Sequence, residues 1–197
     1  IVFRQTDLKR LIAYSSISHM GIVLLGVSSL GSIGILGATL QMFAHGTITG
    51  LLFLLVGLVY EQAHTRYLPD LGGLGTRMPI IASVFVITGF AALGLPLLSG
   101  FAAEILVFLG TFPVWGLATG LSAFGIVLAA GYILWTVQRV FLGPLPERFG
   151  EIRDAQVIDV VSILPLVAAI VLIGLYPNLI TNFLVQGIDP IVTRLVG

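Results

Sequence analysis

The sequence contains no cysteine and very little charge. Only 9% of its 197 residues are Asp, Glu, Lys or Arg, whereas about a quarter of residues are charged in a typical soluble domain. Without cysteine the chain can form no disulfide, thiolate zinc site or cysteine-ligated iron–sulfur cluster, so redox chemistry would have to take place in a partner chain. The formal net charge of zero gives no indication of a nucleic-acid partner.

Recognisable cofactor-binding motifs are missing as well. The sequence has no P-loop, no GxGxxG after a strand pattern and no HExxH. The glycine-rich stretch DLGGLGTRMP at 70–79 lies between apolar segments, and we interpret it as a tight turn rather than a phosphate-binding loop. We therefore expect neither a cofactor nor a metal ion in this chain.

What the sequence does have is apolar length. Hydrophobic residues make up 57% of the chain and its mean hydropathy is +1.11, so we predict an all-α polytopic membrane protein. A spanning helix needs about 20 apolar residues. Five stretches of the sequence qualify, at roughly 8–29, 33–60, 79–112, 117–142 and 158–178.

The third stretch is too long for one straight crossing. The sequence GLPLLSG at 94–100 divides it, because proline removes a backbone hydrogen bond and glycine loosens the helix. We therefore predict one discontinuous helix among the five.

The basic residues predict the orientation of the chain, because Lys and Arg in short loops mark the cytoplasmic side of a membrane. Eight of the nine fall before the first helix or in alternate loops, and the ninth follows the last helix. The N-terminal end of the sequence is then cytoplasmic and the C-terminal end external. The eight are Arg4, Lys9, Arg10, Arg66, Arg77, Arg139, Arg148 and Arg153, and the ninth is Arg194.

The two ends of the sequence carry weaker signals. The chain begins without Met or a signal-peptide pattern, and we expect it to be the C-terminal piece of a longer protein. The last stretch, NFLVQGIDPIVTRLVG, is mildly amphipathic, and we expect it to lie either along the membrane surface or against a neighbouring element.

Three ionisable side chains remain at membrane depth, namely His19, His45 and Glu104. At 1.5 Å per residue, His19 lies about 15 Å from Lys9, and His45 about 18 Å from the start of its helix. Glu104 follows the predicted break, so all three share the middle of the membrane. A carboxylate there costs about 2.5–3.5 kcal/mol on insertion scales, and we hypothesise that Glu104 is kept as part of a proton relay.

Structural interpretations stay open for each of these residues. Glu104 could pair with a cation in another part of the protein and fix helix packing, and each histidine could be a hydrogen-bonding helix contact. We expect Gln41, four residues before His45 on the same helix face, to orient that imidazole.

Several strings resemble the antiporter-like subunits of respiratory complex I in order and spacing: TDLKRLIAYSSISHMG, QMFAHG, YEQAHTR, LGGLGTRMP and GLPLLSGFAAEILVF. Such subunits are similar to Mrp-type antiporters and have about 14 helices around two inverted repeats. The resemblance implies that this chain corresponds to about helices 10 to 14. Residues 1–142 would then be four helices of the second repeat, and 143–197 the final helix with its tail.

The same resemblance implies roles for individual residues. Related subunits usually carry a lysine at the broken helix, and the M-type subunit carries a glutamate, which is Glu104 here. By this resemblance Glu104 is the terminal proton-carrying carboxylate, His45 and His19 belong to a central polar axis, and Lys9 lies near the cytoplasmic mouth.

The function that the resemblance implies is proton translocation as a membrane-arm subunit of NADH:quinone oxidoreductase, in a bacterial plasma membrane or another energy-transducing membrane. FMN, iron–sulfur clusters and quinone would lie in partner subunits, and related antiporter-like subunits would flank this one in the bilayer. Three alternatives stay open: an Mrp-type cation/proton antiporter, a membrane-hydrogenase subunit, and a structural subunit without transport.

Overall fold

The fold is a bundle of helices, described here from a computed structural model that covers residues 1–196. Within that range the chain forms no strand, and it has four short 3₁₀ turns, one before the first α-helix and three in connections. This confirms the all-α prediction. The helices are α1 Leu8–Ser28, α2 Ser32–Ala63, α3 Pro79–Ala92, α4 Ser99–Phe141, α5 Val157–Leu175 and α6 Asn178–Val196.

The predicted interruption after α3 is present. α3 ends at Ala92 and α4 begins at Ser99. Between them Gly94 and Leu97 have positive φ angles of 69° and 77°, a conformation in which an α-helix cannot continue. The discontinuous helix is therefore confirmed.

The α4 helix is not one straight rod. Trp115 has non-helical backbone angles, two residues after Pro113. The Thr119 hydroxyl donates to the Thr111 hydroxyl at 3.0 Å, although eight residues of straight helix would separate them by about 12 Å. The chain therefore doubles back at Trp115. We call 99–114 the first arm of α4 and 116–141 its second arm.

This reversal lies in the gap between the third and fourth predicted stretches, which end at 112 and begin at 117. The backbone leaves helical angles there, at Trp115. Pro113 removes one helix hydrogen bond and so weakens the helix here. The non-helical angles of Trp115 then turn the chain without a longer loop.

Four of the helices, α1, α2, α4 and α5, are long and apolar enough to cross a membrane, and α3 is a shorter apolar helix. At 43 residues, α4 would be about 65 Å long if it were straight, twice the thickness of the bilayer core. Because its two arms fold back on each other, and because α3 continues into the first arm across the break, we interpret these elements as five crossings.

Eight of the nine basic residues lie in the segment before α1 and at its start, in the connection between α2 and α3, and around the connection between α4 and α5. These three segments meet at one end of the bundle, which we call the basic end. The backbone amide of Leu8 donates to the Arg66 carbonyl at 2.9 Å. Arg148 donates to the Asp70 carbonyl at 2.6 Å. The Asp154 carboxylate accepts the Ile80 amide at 2.7 Å and so caps α3. The structure thus agrees with the alternate placement of charged loops.

The tail forms the amphipathic helix α6. Its buried face includes Thr181 and Ile188, seven residues apart, whereas Leu179 and Phe183 are exposed. α6 packs on α2 and α5 of the same chain. Of the two expectations for the tail, packing against a neighbouring element describes it within residues 178–196, and Gly197 lies outside the described residues.

Glycines allow α1, α2 and the first arm of α4 to cross closely. A Cβ built at Gly37 would lie only 2.5 Å from the Val107 backbone nitrogen, and one at Gly26 would lie 2.7 Å from the Gly34 carbonyl oxygen. Small residues at such crossings are typical of membrane helices. Because α1, α2 and the first arm of α4 cross closely, side chains from these three helices can meet inside the bundle.

We expect Gly37→Ala to destabilise the full-length protein, because the added methyl group meets backbone atoms that cannot move independently. Overpacking of this kind costs about 1–3 kcal/mol. Gly50→Ala in the same helix is the matched control, since a Cβ there meets nothing within 4 Å. The measurement is the thermal unfolding midpoint in detergent. Equal midpoints for the two variants would contradict the tight crossing.

Candidate functional site

The three ionisable side chains predicted at mid-membrane lie together in the structure. The rings of His19 on α1 and His45 on α2 have their centroids 5.3 Å apart. His19 Nδ1 lies 3.8 Å from Glu104 Oε1 on the first arm of α4. Only 7% of His19 and 4% of Glu104 are exposed. An acid and an imidazole therefore face each other in the interior of the bundle.

Local sequence explains why these side chains point inward. On α1, His19 continues a buried row that recurs every three or four residues, and Glu104 continues a similar row on α4. Such a spacing lies on one face of a helix. The row on α1 is Leu8, Leu11, Ile12, Ser15, His19, Ile22, Val23 and Gly26, and the row on α4 is Gly100, Ala103, Glu104, Val107 and Thr111.

One nitrogen of His19 faces two different partners. Nδ1 lies 3.4 Å from the amide nitrogen of Gln41 and 3.8 Å from the Glu104 carboxylate. Without a proton, Nδ1 can accept a hydrogen bond from Gln41, and with a proton it can donate toward Glu104. Because 3.8 Å exceeds hydrogen-bond length, proton transfer between His19 and Glu104 requires a small movement or a bridging water.

The prediction that Gln41 orients the imidazole of His45 was wrong. Gln41 approaches His19 on the neighbouring helix. The ring of His45 instead lies beside the Thr49 hydroxyl, 3.1 Å from Nδ1. Thr49 follows His45 by one helical turn, and that spacing is the signal from which the contact could have been anticipated.

Lys9 does not join this cluster. It is exposed near the start of α1, and its ten-residue separation from His19 corresponds to about 15 Å of helix. With Arg66, Tyr60 and Phe53 it lines a separate cavity of about 360 Å³ at the basic end. The structure therefore gathers three of the four predicted site residues and leaves the fourth near the surface.

Several buried polar atoms close to the cluster lack a hydrogen-bond partner among residues 1–196. They are Gln41 Oε1, Ser99 Oγ, Glu104 Oε2 and the Tyr132 hydroxyl. A cavity of about 240 Å³ adjoins Glu104 and His19 and is also lined by Ser18 and Ser122. Since a water molecule takes about 30 Å³ in the liquid, several could be accommodated beside the acid.

A helix broken in its apolar length, with a buried acid and two imidazoles beside the break, is typical of membrane transporters. The chain belongs to the NADH:quinone oxidoreductase/Mrp antiporter transmembrane family, whose profile matches residues 1–130.

Two curated relatives extend the match along nearly the whole chain. "NAD(P)H-quinone oxidoreductase chain 4 2" of Synechococcus sp. (strain JA-3-3Ab) is 42% identical over 203 residues, covering 98% of this chain and 38% of the relative. "NADH-quinone oxidoreductase subunit M" of Rickettsia bellii is 38% identical over 195 residues, covering 98% and 40%. This confirms the resemblance to the M-type subunit. The chain spans about two-fifths of the length of these relatives.

A solved structure has the same fold. In respiratory complex I from Thermus thermophilus with bound NADH, one chain matches with a TM-score of 0.92 and 31% identity, covering all of this chain and 41% of that one. The predicted half of an antiporter-like fold is confirmed at this level.

We expect ordered water in the cavity beside Glu104. A buried polar atom without a partner costs about 1–3 kcal/mol. Glu104, whose Oε2 has no partner among residues 1–196, lines a space large enough for water that could relieve that cost. A cryo-EM map of the full assembly, at a resolution that shows bound water, would check this. Empty density between Glu104 and Ser18 would contradict it.

Proposed function

We propose that the protein containing this chain is a proton-translocating membrane-arm subunit of NADH:quinone oxidoreductase. The observation that carries the proposal is the contact between Glu104 and His19 beside the helix break. A buried acid next to an imidazole can exchange a proton, and both would be expensive to keep in the membrane without a use. Relatives bearing the names of this enzyme at 42% and 38% identity support the assignment.

The geometry supports stepwise proton transfer. A proton on Glu104 Oε1 passes to His19 Nδ1, the nearest nitrogen, and His45 lies next to His19. Two imidazolium ions at 5.3 Å would repel by about 3 kcal/mol at an effective dielectric constant of about 20. One charge at a time therefore occupies the pair, and a proton arriving on one ring favours departure from the other.

The other subunits of the enzyme complex supply the redox chemistry. In the proposal, FMN, iron–sulfur clusters and quinone belong to partner subunits, and quinone reduction there changes the electrostatic field that acts on Glu104. Related antiporter-like subunits flank this one in the bilayer. Residues 1–142 form most of one inverted repeat, 143–197 form the last helix and tail, and Lys9 serves the cytoplasmic mouth of the relay.

The alternative functions predict different co-purifying subunits and different activities. An Mrp-type antiporter, which the family also includes, would purify with other membrane subunits alone and transport sodium. A quinone oxidoreductase purifies with chains that carry flavin and iron–sulfur clusters. A membrane hydrogenase would be revealed by hydrogen evolution. A structural subunit without transport would tolerate neutral replacement of Glu104.

We expect Glu104→Gln in the full-length protein to abolish proton pumping, lowering it by at least about tenfold, because the amide cannot carry an acidic proton. Assembly should be retained, since the amide has the same shape. Pumping is measured by acidification in membrane vesicles during quinone reduction. Glu151→Gln, at an exposed loop carboxylate, is the matched control. Undiminished pumping by Glu104→Gln would reject the relay.

We also propose that the basic end faces the cytoplasm of a bacterial cell. Ser28 and Glu151 are exposed near opposite ends of the bundle. We expect a membrane-impermeant thiol reagent to label Ser28→Cys in intact cells, and to label Glu151→Cys only in inverted vesicles, in a background without other reactive cysteines. The reverse pattern would show that the orientation is inverted.

A further inference from the structure

We infer that Gly94 is a positioning residue that sets where the Glu104 carboxylate lies, in addition to turning the chain at the helix break. The inference rests on the proposed function for its consequence on pumping. Its geometric part concerns two residues ten positions apart and can be tested without measuring pumping.

Gly94 lies directly against the carboxylate. A Cβ built at Gly94 would be 3.3 Å from Glu104 Cδ and closer still to Oε2, nearer than real Cβ atoms approach a neighbour. On its other side, the carboxylate faces His19 through Oε1. The acid is thus held between a glycine without a side chain and the imidazole to which it would pass a proton.

Gly94 affects the carboxylate by leaving space for it, and not by forming a hydrogen bond with it. Glu104 Oε2, the oxygen next to Gly94, accepts no hydrogen bond from residues 1–196. No directional bond from the described protein residues therefore fixes that oxygen in place. The space left by glycine decides how far the carboxylate can lean away from His19, so any side chain at this position would displace it.

Two effects of substituting Gly94 must be separated. Gly94 has a φ of 69°, and this backbone conformation disfavours any residue with a side chain, whatever that side chain contacts. The cost is about 1–2 kcal/mol. Gly143 has a φ of 92°, and a Cβ there meets nothing within 4 Å. Gly143→Ala therefore reproduces the backbone strain without any contact with Glu104.

A second control lies at the start of α4, next to the break. A Cβ at Gly100 would meet Ala91 and Ile48. Gly100→Ala therefore crowds the start of α4 against other groups than the carboxylate. Comparing the three alanine variants separates displacement of Glu104 from strain and from crowding of the break.

The experiment uses the full-length protein in its assembled complex. Infrared difference spectroscopy on a pH change identifies the Glu104 carboxyl band as the one that Glu104→Gln removes. We expect Gly94→Ala to shift this band and to lower pumping by about tenfold to a hundredfold, since a displacement of about 1 Å at a reacting group has such an effect. Gly143→Ala and Gly100→Ala should leave the band in place.

A double-mutant cycle tests the direct contact. Glu104→Asp shortens the side chain by one methylene and withdraws the carboxylate from position 94. We expect the shift in the pH dependence of pumping caused by Gly94→Ala to be smaller in the Glu104→Asp background, because contacting residues are not additive. Assembly on a native gel confirms that each variant folds.

The outcomes distinguish this inference from the proposed function. An unmoved carboxyl band in Gly94→Ala, or an equal effect of that substitution in both backgrounds, overturns the positioning role even if Glu104→Gln abolishes pumping. Retained pumping in Glu104→Gln overturns the relay, whereas a shifted band in Gly94→Ala would still support the geometry.

Discussion

The structure depends on one interruption of a helix at membrane depth. Inside a bilayer every backbone amide and carbonyl needs an internal partner, so a break survives only where the protein satisfies it. Here the amide of Leu93 donates to Gly89 at 3.0 Å and that of Leu95 to Phe90 at 3.0 Å. These turn bonds close the end of α3 and allow the chain to restart at Ser99 with a new direction.

The rest of the bundle is arranged to hold that break. Asp154, from the connection before α5, caps the start of α3. Gly174 near the end of α5 leaves room for the Leu97 carbonyl, since a Cβ there would meet that group. α5 therefore packs directly against the break, while Asp154 holds the opposite end of α3, and the carboxylate one turn into α4 inherits a defined position.

The sequence predicted some parts of this arrangement and not others, because each sequence signal reports on a different property. Hydropathy predicted the helices within a few residues, and GLPLLSG marked the break. A fixed rise per residue placed His19 and His45 at one level, and the break placed Glu104 there, which agrees with their proximity in the structure. The contacts across helices were not predictable. Helices that are apolar all round carry little information about which face points inward, so the contact of Gln41 with His19 could not be read from one helix alone.

The shared position of His19 Nδ1 bears on how a proton could move in one direction. Because that nitrogen faces both the Gln41 amide and the Glu104 carboxylate, gaining a proton exchanges an accepted hydrogen bond for a donated one. The two states have different partners, and an electric field acting on the acid shifts the balance between them. In the proposed relay, the 3.8 Å separation from Glu104 is too long for direct proton transfer, so a small movement at the break would control it.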